Sequence, residues 1–401
     1  MKNLFRFLSL FMGILFVQSL YAQPEVSVDG LTLVPHRPSV ANAVELRFDD
    51  ADRYVFSEGL CALKKNQLWG FIDTTGKVVI DFTFFAWGNE NPFFSCGIAM
   101  VAMQGATTGM RVPVFIDKKG QQLFKTQKFS AVTPFRSGIA LVEKINEKNR
   151  MRSYSFINKQ GQPLPGAIDP GRSKGFSLEL NPFHEGLSPL YNAKAGAVGF
   201  INPQGKWALP PAAYGDAGNF GDGFAAVQNK VNYYWGYINK KGEVKIPFDY
   251  KKQPGVFSEG LAAVENSKEK IGFIDAQGKT VLPFVYEECR FPFKNGFAVV
   301  YQDAKPAGFA IIDTSGNVIR TMGPEQVQVF ENGWIYYKEW YKNKWAVGIL
   351  SLDGKSVLLP GYFVYIGAFG NGLAYAIAYL DGQQVKGFIN QNFDFVILQT
   401  E

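Results

Sequence analysis

The chain has 401 residues, 47% apolar and 19% charged, a balance that excludes a disordered polymer. Its net charge of +6 is small and scattered, so it carries no nucleic-acid footprint. Aromatic residues reach 15%, with 36 phenylalanines, a bias expected where a repeat demands Phe at fixed positions.

The N-terminus reads as an export signal. Lys2 and Arg6 give a positive start, Leu8–Val17 is apolar apart from Ser9, and Ala22 offers a small residue before Gln23. This predicts removal of residues 1–22 and a periplasmic, outer-surface or secreted chain; an uncleaved anchor is the alternative. The apolar run is too short to span a bilayer, and no later stretch predicts a transmembrane segment in the mature chain. Residues 23–50 match no later pattern and read as a leader or an N-terminal cap. Cys61, Cys96 and Cys289 are an odd number for an oxidising compartment, and small buried hydrophobes is the simplest reading of all three.

From residue 51 to 401 two signatures alternate. The first is F-x-x-G before a short apolar run, as in F-S-E-G-L-C-A-L at Phe56 and F-S-E-G-L-A-A-V at Phe257. Its glycines are Gly59, Gly97, Gly138, Gly186, Gly223, Gly260, Gly296, Gly333 and Gly372, which number the copies one to nine. Successive glycines lie 36 to 41 residues apart, save one interval of 48, and such regularity marks a tandem repeat. The longer interval holds Q-P-L-P-G-A-I-D-P-G-R-S-K-G, a surface loop near residues 162–175.

The second signature is G-[FY]-I-[DN]-x-x-G, as in G-Y-I-N-K-K-G from Gly236. An aromatic strand ends at Asp or Asn, whose side chain accepts from the backbone two residues on, and glycine closes the turn. In the next strand, E-V-K-I-P, Val244 and Ile246 are expected on one face, and Pro247 is expected to end it. One unit is then three short strands of ~37 residues in all, too small to bury a core, so each copy must cover the aromatics of the next.

This alternation resembles the WG-repeat family, whose units pair G-x-I-[DN]-x-x-G-K-x-x-[IV]-P with F-x-[ED]-G-L-A-x-V. The resemblance covers Phe56 to about Gln391, although the Trp-Gly pair itself stands only at Trp69-Gly70 and Trp235-Gly236. Elsewhere Ile271, Val198, Val347 or Lys386 takes the Trp place, and Ser155 replaces the Gly. It implies tandem β units, often in an exported or envelope-associated bacterial protein, and no established activity. The fold expected is an all-β tandem array of about nine three-stranded antiparallel units. An open twisted solenoid is favoured over a closed β-propeller, because the ninth copy has Phe393 in the glycine place and looks like a degenerate C-terminal cap.

The chemistry is sparse. With only His36 and His184, no histidine-based triad is expected, and the glycines belong to turns rather than to phosphate loops. The series Asp73, Asp117, Asn158, Asn202, Asn239, Asp275, Asp313 and Asn390 reads as turn caps, so neither metal nor cofactor is expected. Glu58, Glu185, Asp222 and Glu259 could supply the two carboxylates of glycoside hydrolysis, and a carbohydrate-active enzyme is the alternative function. A residue repeated before the motif glycine in four copies belongs to the copy, however, so no catalytic residue is assigned.

Copy eight is the richest in surplus aromatics. Its segment G-W-I-Y-Y-K-E-W-Y-K-N-K-W supplies the candidate binding residues Trp334, Tyr337, Trp340, Tyr341 and Trp345, for an unidentified protein or glycan partner. Trp334 and Tyr336 should share one strand face, Ile335 and Tyr337 the other, with Trp340 and Tyr341 in an exposed hairpin loop. A locally aromatic core or a cross-strand ladder is the alternative. The expected function is a non-catalytic binding or scaffold module at the bacterial envelope.

Overall fold

The structure is a computed structural model and describes residues 27–28, 31–32, 35–49, 54–88, 91–105, 109–146, 148–166, 180–303, 307–323, 327–329, 333–341 and 343–400. The signal at residues 1–22 and the loop beyond residue 166 lie outside these residues. Among the described residues there is no helix, hence none long and apolar enough to cross a membrane. The strands form small antiparallel sheets, none closed into a barrel.

Copy seven shows the plan. Glu288–Lys294, Phe297–Gln302, Gly308–Asp313 and Val318–Met322 pair in that order, each strand antiparallel to the next. The middle strands are buried on both faces, because neighbouring sheets cover both sides, and they therefore read as continuous apolar runs. This copy has four strands rather than the expected three, whereas the sheets of copies one, three and six have three. The segment before F-x-x-G also pairs, as do Phe363–Ile366 in copy nine and, in copy five, the end of the long strand Trp207–Gly221. That long strand joins copies four and five into one six-stranded sheet.

The F-x-x-G element is a two-residue hairpin turn. Ser57 and Leu60 exchange both backbone hydrogen bonds, 2.8 and 3.1 Å, around Glu58 and Gly59. The residue before the glycine has φ between 47° and 58° at Glu58, Cys96, Ser137, Glu185, Asp222, Glu259, Asn295 and Asn371, the left-handed pair a type I′ turn requires. The second turn behaves as expected: the Asp73 carboxylate accepts from the N–H groups of Thr75 and Lys77, and the Asn239 amide oxygen from those of Lys241 and Glu243.

Two expectations for the third strand need correction. Val244–Tyr250 runs on through Pro247 instead of stopping there. The ladder slips between Ile238↔Val244 and Tyr237↔Ile246, so Ile246 is buried while Val244 is exposed. This bulge carries the Ile246 carbonyl to 2.6 Å from where a Cβ on Gly236 would sit, which is why the Trp-Gly glycine tolerates no side chain.

The core lies between copies. The aromatic of G-[FY]-I meets the F-x-x-G phenylalanine of the following copy edge to face: Phe71–Phe94, Phe115–Phe135, Phe200–Phe220, Tyr237–Phe257 and Phe273–Phe293, with centroids 4.8 to 5.1 Å apart. Phe388 of copy nine makes the same contact with Phe56 of copy one, at 5.2 Å and 73°.

The two ends of the array meet elsewhere too. Val44–Arg47 adds to the ninth sheet, parallel to Ile397–Thr400. One buried cluster joins Phe56, Phe71 and Trp69 to Leu373, Tyr375, Phe388 and Ile397. Phe393, which stands in the glycine place of copy nine, keeps the left-handed conformation of that place (φ 63°) and buries its ring against Trp334, Phe363 and Phe369.

Glu143 is the one charged side chain among the buried residues described. Burial alone would push its carboxyl up, but hydrogen bonds from Arg152, Ser130 and Tyr154 outweigh that and hold it below its ordinary value.

Two predictions follow from this packing. Phe388→Ala should lower unfolding stability by about 3–5 kcal/mol in a denaturant titration, as much as Phe273→Ala at an internal junction. A loss under ~1 kcal/mol at Phe388 alone would mean that the ninth and first copies do not lock together. Because the folded carboxyl of Glu143 is depressed, its contribution is complete above the unfolded value near 4.5 and fades as pH falls below it. Glu143→Gln should therefore be destabilised at pH 7 and show a shallower loss of stability on acidification than the parent; parallel acid profiles would contradict this.

Candidate functional site

The repeated carboxylates are spent on neighbouring backbone. Glu58 accepts from Gly97 N–H at 2.9 Å, Glu185 from Gly223 N–H at 3.1 Å, Asp222 from Gly260 N–H at 2.7 Å, and Glu259 from Gly296 N–H at 2.8 Å. In each case the donor is the motif glycine of the next copy. Cys96 takes the place with its sulfur, accepting from Gly138 N–H at 3.3 Å, and Asn371 of copy nine accepts from Gly59 N–H at 2.9 Å. Lysines from the second turn of the following copy complete the arrangement: Lys118 pairs with Glu58 at 3.3 Å and Lys240 with Glu185 at 2.9 Å. These groups tie copies together, one per junction, instead of converging on a shared cleft.

Both turns therefore sit at one edge of the array. The hairpin between the strand after F-x-x-G and the G-[FY]-I strand, here called the first hairpin, lies at the opposite edge, because successive strands of a sheet run antiparallel. Copy eight offers its aromatics there. Ile335–Tyr341 and Lys344–Leu350 pair without slippage, with Trp340 opposite Trp345 and Asn343 (φ 64°) in a tight turn. Trp340 and Tyr341 are therefore strand residues rather than members of a loop. Their rings meet edge to face at 5.3 Å and 80°, yet remain 53% and 42% exposed.

The candidate residues do not all share that surface. Tyr336 packs with Trp334 toward copy nine, while Ile335 and Tyr337 pack toward copy seven, so the faces alternate as expected. Tyr337 is buried, its ring lying over Gly348, and burial pushes its hydroxyl up to about 12. Trp334 stands against Phe369 at 5.3 Å and 77°. It supplies the ring missing at this junction, where Ile349 occupies the G-[FY]-I aromatic position; the sequence held that signal in the Ile349 substitution. The Tyr341 side chain lies outside the described ones. The site narrows to the Trp340–Trp345 pair, with Lys344 reaching over the neighbouring Tyr379 ring at 5.5 Å.

A cavity of about 330 Å³ lies where copies four, five and six adjoin, lined by Asn181, Pro189, Gly218, Asn219, Gln253 and Pro254. It holds no charged group. All three cysteines are free; burial pushes the Cys61 and Cys289 thiols up. Among the described residues no cluster of three His, Cys, Asp or Glu side chains could hold a metal ion.

No curated protein matches the chain in sequence. A crystal structure of the eukaryotic initiation factor resembles it with a TM-score of 0.54 at 13% identity, over 86% of this chain and 98% of that one, a likeness of fold alone. BamB from Moraxella catarrhalis gives a TM-score of 0.36 at 10% identity, over 75% of this chain and 94% of that one. The family model described as "WG containing repeat" matches residues 42–69, 69–84, 115–148, 199–233, 235–268 and 271–305. These six matches fall on the alternating turns and aromatic strands described above, and the chain belongs to the WG containing repeat family.

Proposed function

We propose that the chain is a non-catalytic binding scaffold, closed into a ring of repeats and exported to the bacterial envelope, which engages a protein or glycan through Trp340 and Trp345. The observation that carries this reading is the use of Glu58, Glu185, Asp222 and Glu259 as acceptors for the next copy's glycine N–H. Carboxylates held this way are structural, whereas two flat, half-exposed indoles beside Lys344 are favourable contact groups. Closure is supported by the Phe388–Phe56 contact, the Asn371–Gly59 hydrogen bond and the pairing of Val44–Arg47 with Ile397–Thr400. Export rests on the N-terminal residues Lys2 to Ala22.

The test takes the chain recovered after export, whose mass should place Gln23 first, and screens it on a glycan panel for retention and for cleavage. A W340A/W345A variant should keep its stability within about 1 kcal/mol of the parent, since both rings are half exposed, and lose retention. If the parent instead cleaves a glycan, and a single Glu→Gln change at Glu58, Glu185 or Glu259 abolishes cleavage without unfolding, the carbohydrate-active reading replaces this one.

A further inference from the structure

The first hairpins of copies two, three and five end in the same closed turn. Gly105 N–H donates to the Met110 carbonyl at 2.8 Å and Gly109 N–H to Gly105 at 3.3 Å. Asn146 and Met151, with Arg150, repeat the pattern at 2.8 and 2.9 Å, and Asn229 and Tyr234, with Tyr233, repeat it at 2.8 and 3.0 Å. Each turn has a left-handed residue at the same place, Gly109, Arg150 or Tyr233, with φ between 58° and 64°. In copy five, whose turn is described throughout, the tip is thus preformed, and Arg150 and Tyr233 accept backbone strain that glycine would avoid.

These tips carry the four most exposed large apolar side chains among the described residues: Val231 at 86%, Met110 at 70%, Met151 at 67% and Tyr233 at 67%. Each has cations beside it in sequence. Arg111 follows Met110, Lys148 and Arg150 precede Met151, and Lys230 precedes Val231. Glu143, beneath the copy-three hairpin, is buried and paired with Arg152, so it does not offset these cations at the surface. Lys230 also donates to the Ala195 carbonyl at 2.9 Å, which sets the hairpins of copies four and five side by side on one edge. Beyond this sector the tips change character: copy six offers Ser267, Lys268 and Glu269, and copy seven Gln302 and Asp303.

We propose that the first-hairpin edge of copies two to five docks on an anionic lipid surface. Met110, Met151, Val231 and Tyr233 enter the headgroup layer while Arg111, Lys148, Arg150 and Lys230 lie against the lipid phosphates. The charge complementarity is direct, and the spacing argues for a fluid plane. One apolar side chain or two stand on each separate tip, so they do not form the contiguous desolvated patch that a protein hot spot needs. A bilayer interface accepts such groups one at a time, with adjacent cations adding electrostatic attraction. This sector is separate from the Trp340–Trp345 pair, and its docking depends on neither ring closure nor the partner of that pair.

The experiment is vesicle flotation of the full chain with phosphatidylcholine vesicles, with and without phosphatidylglycerol. The chain should float with the anionic vesicles at low salt, release at high salt, and stay behind with phosphatidylcholine alone. An M110S/M151S/V231S/Y233S variant and a K148E/R150E variant should each lose about tenfold in partitioning while keeping the parent circular dichroism and melting temperature. Parent and variants share Leu8–Val17, so any difference arises from the tips. Failure to float with anionic vesicles, or undiminished flotation of the four-tip variant, would overturn the proposal. So would equal binding of dextran sulfate by parent and four-tip variant with no lipid preference, which would reduce the sector to a polyanion site.

Discussion

The edge-to-face contact between the G-[FY]-I aromatic of one copy and the F-x-x-G phenylalanine of the next is the bond on which the other features rest. A copy of ~37 residues cannot enclose its own core. Every buried cluster among the described residues accordingly spans a junction, as with Phe273 and Phe293 between copies six and seven, or Phe200 and Phe220 between copies four and five. Edge-to-face geometry adds roughly 0.5–1.5 kcal/mol to the burial of each pair. It also fixes the rotation between sheets, because the ring edge must find the ring face. Where the pair is missing, at Ile349, the chain brings in Trp334, Phe369 and Phe393 instead.

The second consequence concerns the edges. At six junctions a motif glycine N–H meets the side chain before the previous copy's glycine, a carboxylate at Glu58, Glu185, Asp222 and Glu259, and all these contacts lie at one edge. Residues there are committed to the lock, which leaves the opposite edge to vary. Tips of differing length and chemistry occupy it: Met and Val with cations in copies two to five, polar and acidic groups in six and seven, indoles in eight. Chemical variety among the copies is therefore concentrated in the hairpin tips, carried by sheets built on a common pattern.

Much of this was legible from the residues. The period, the all-β class, the Asp/Asn turn caps at Asp73 and Asn239, and the mutual covering of aromatics all follow from local chemistry and from the size of the repeat. The strand before F-x-x-G was not, because E-C-R-F-P-F-K from Glu288 to Lys294 alternates in no simple way and is held by its pairing with Phe297–Gln302. Nor was the strand Val44–Arg47, whose partner lies at the other end of the chain. Pro247 reads as a stop only where the ladder is regular, and here it sits at a bulge on an outer strand. At the candidate site, the exposure of Trp340 and Trp345 was readable from their lysine neighbours, whereas the burial of Tyr337 depended on a ring filling the space over Gly348, a contact that composition does not announce.

The central claim is that the contact repeated at internal junctions also joins the ninth copy to the first. Small-angle scattering of the exported chain tests it most directly. A closed ring should scatter as a compact particle with a radius of gyration of about 21 Å, the value for a globular chain of this length. An elongated particle approaching ~90 Å, which is what nine sheets stacked at ~10 Å apiece would give, would contradict it.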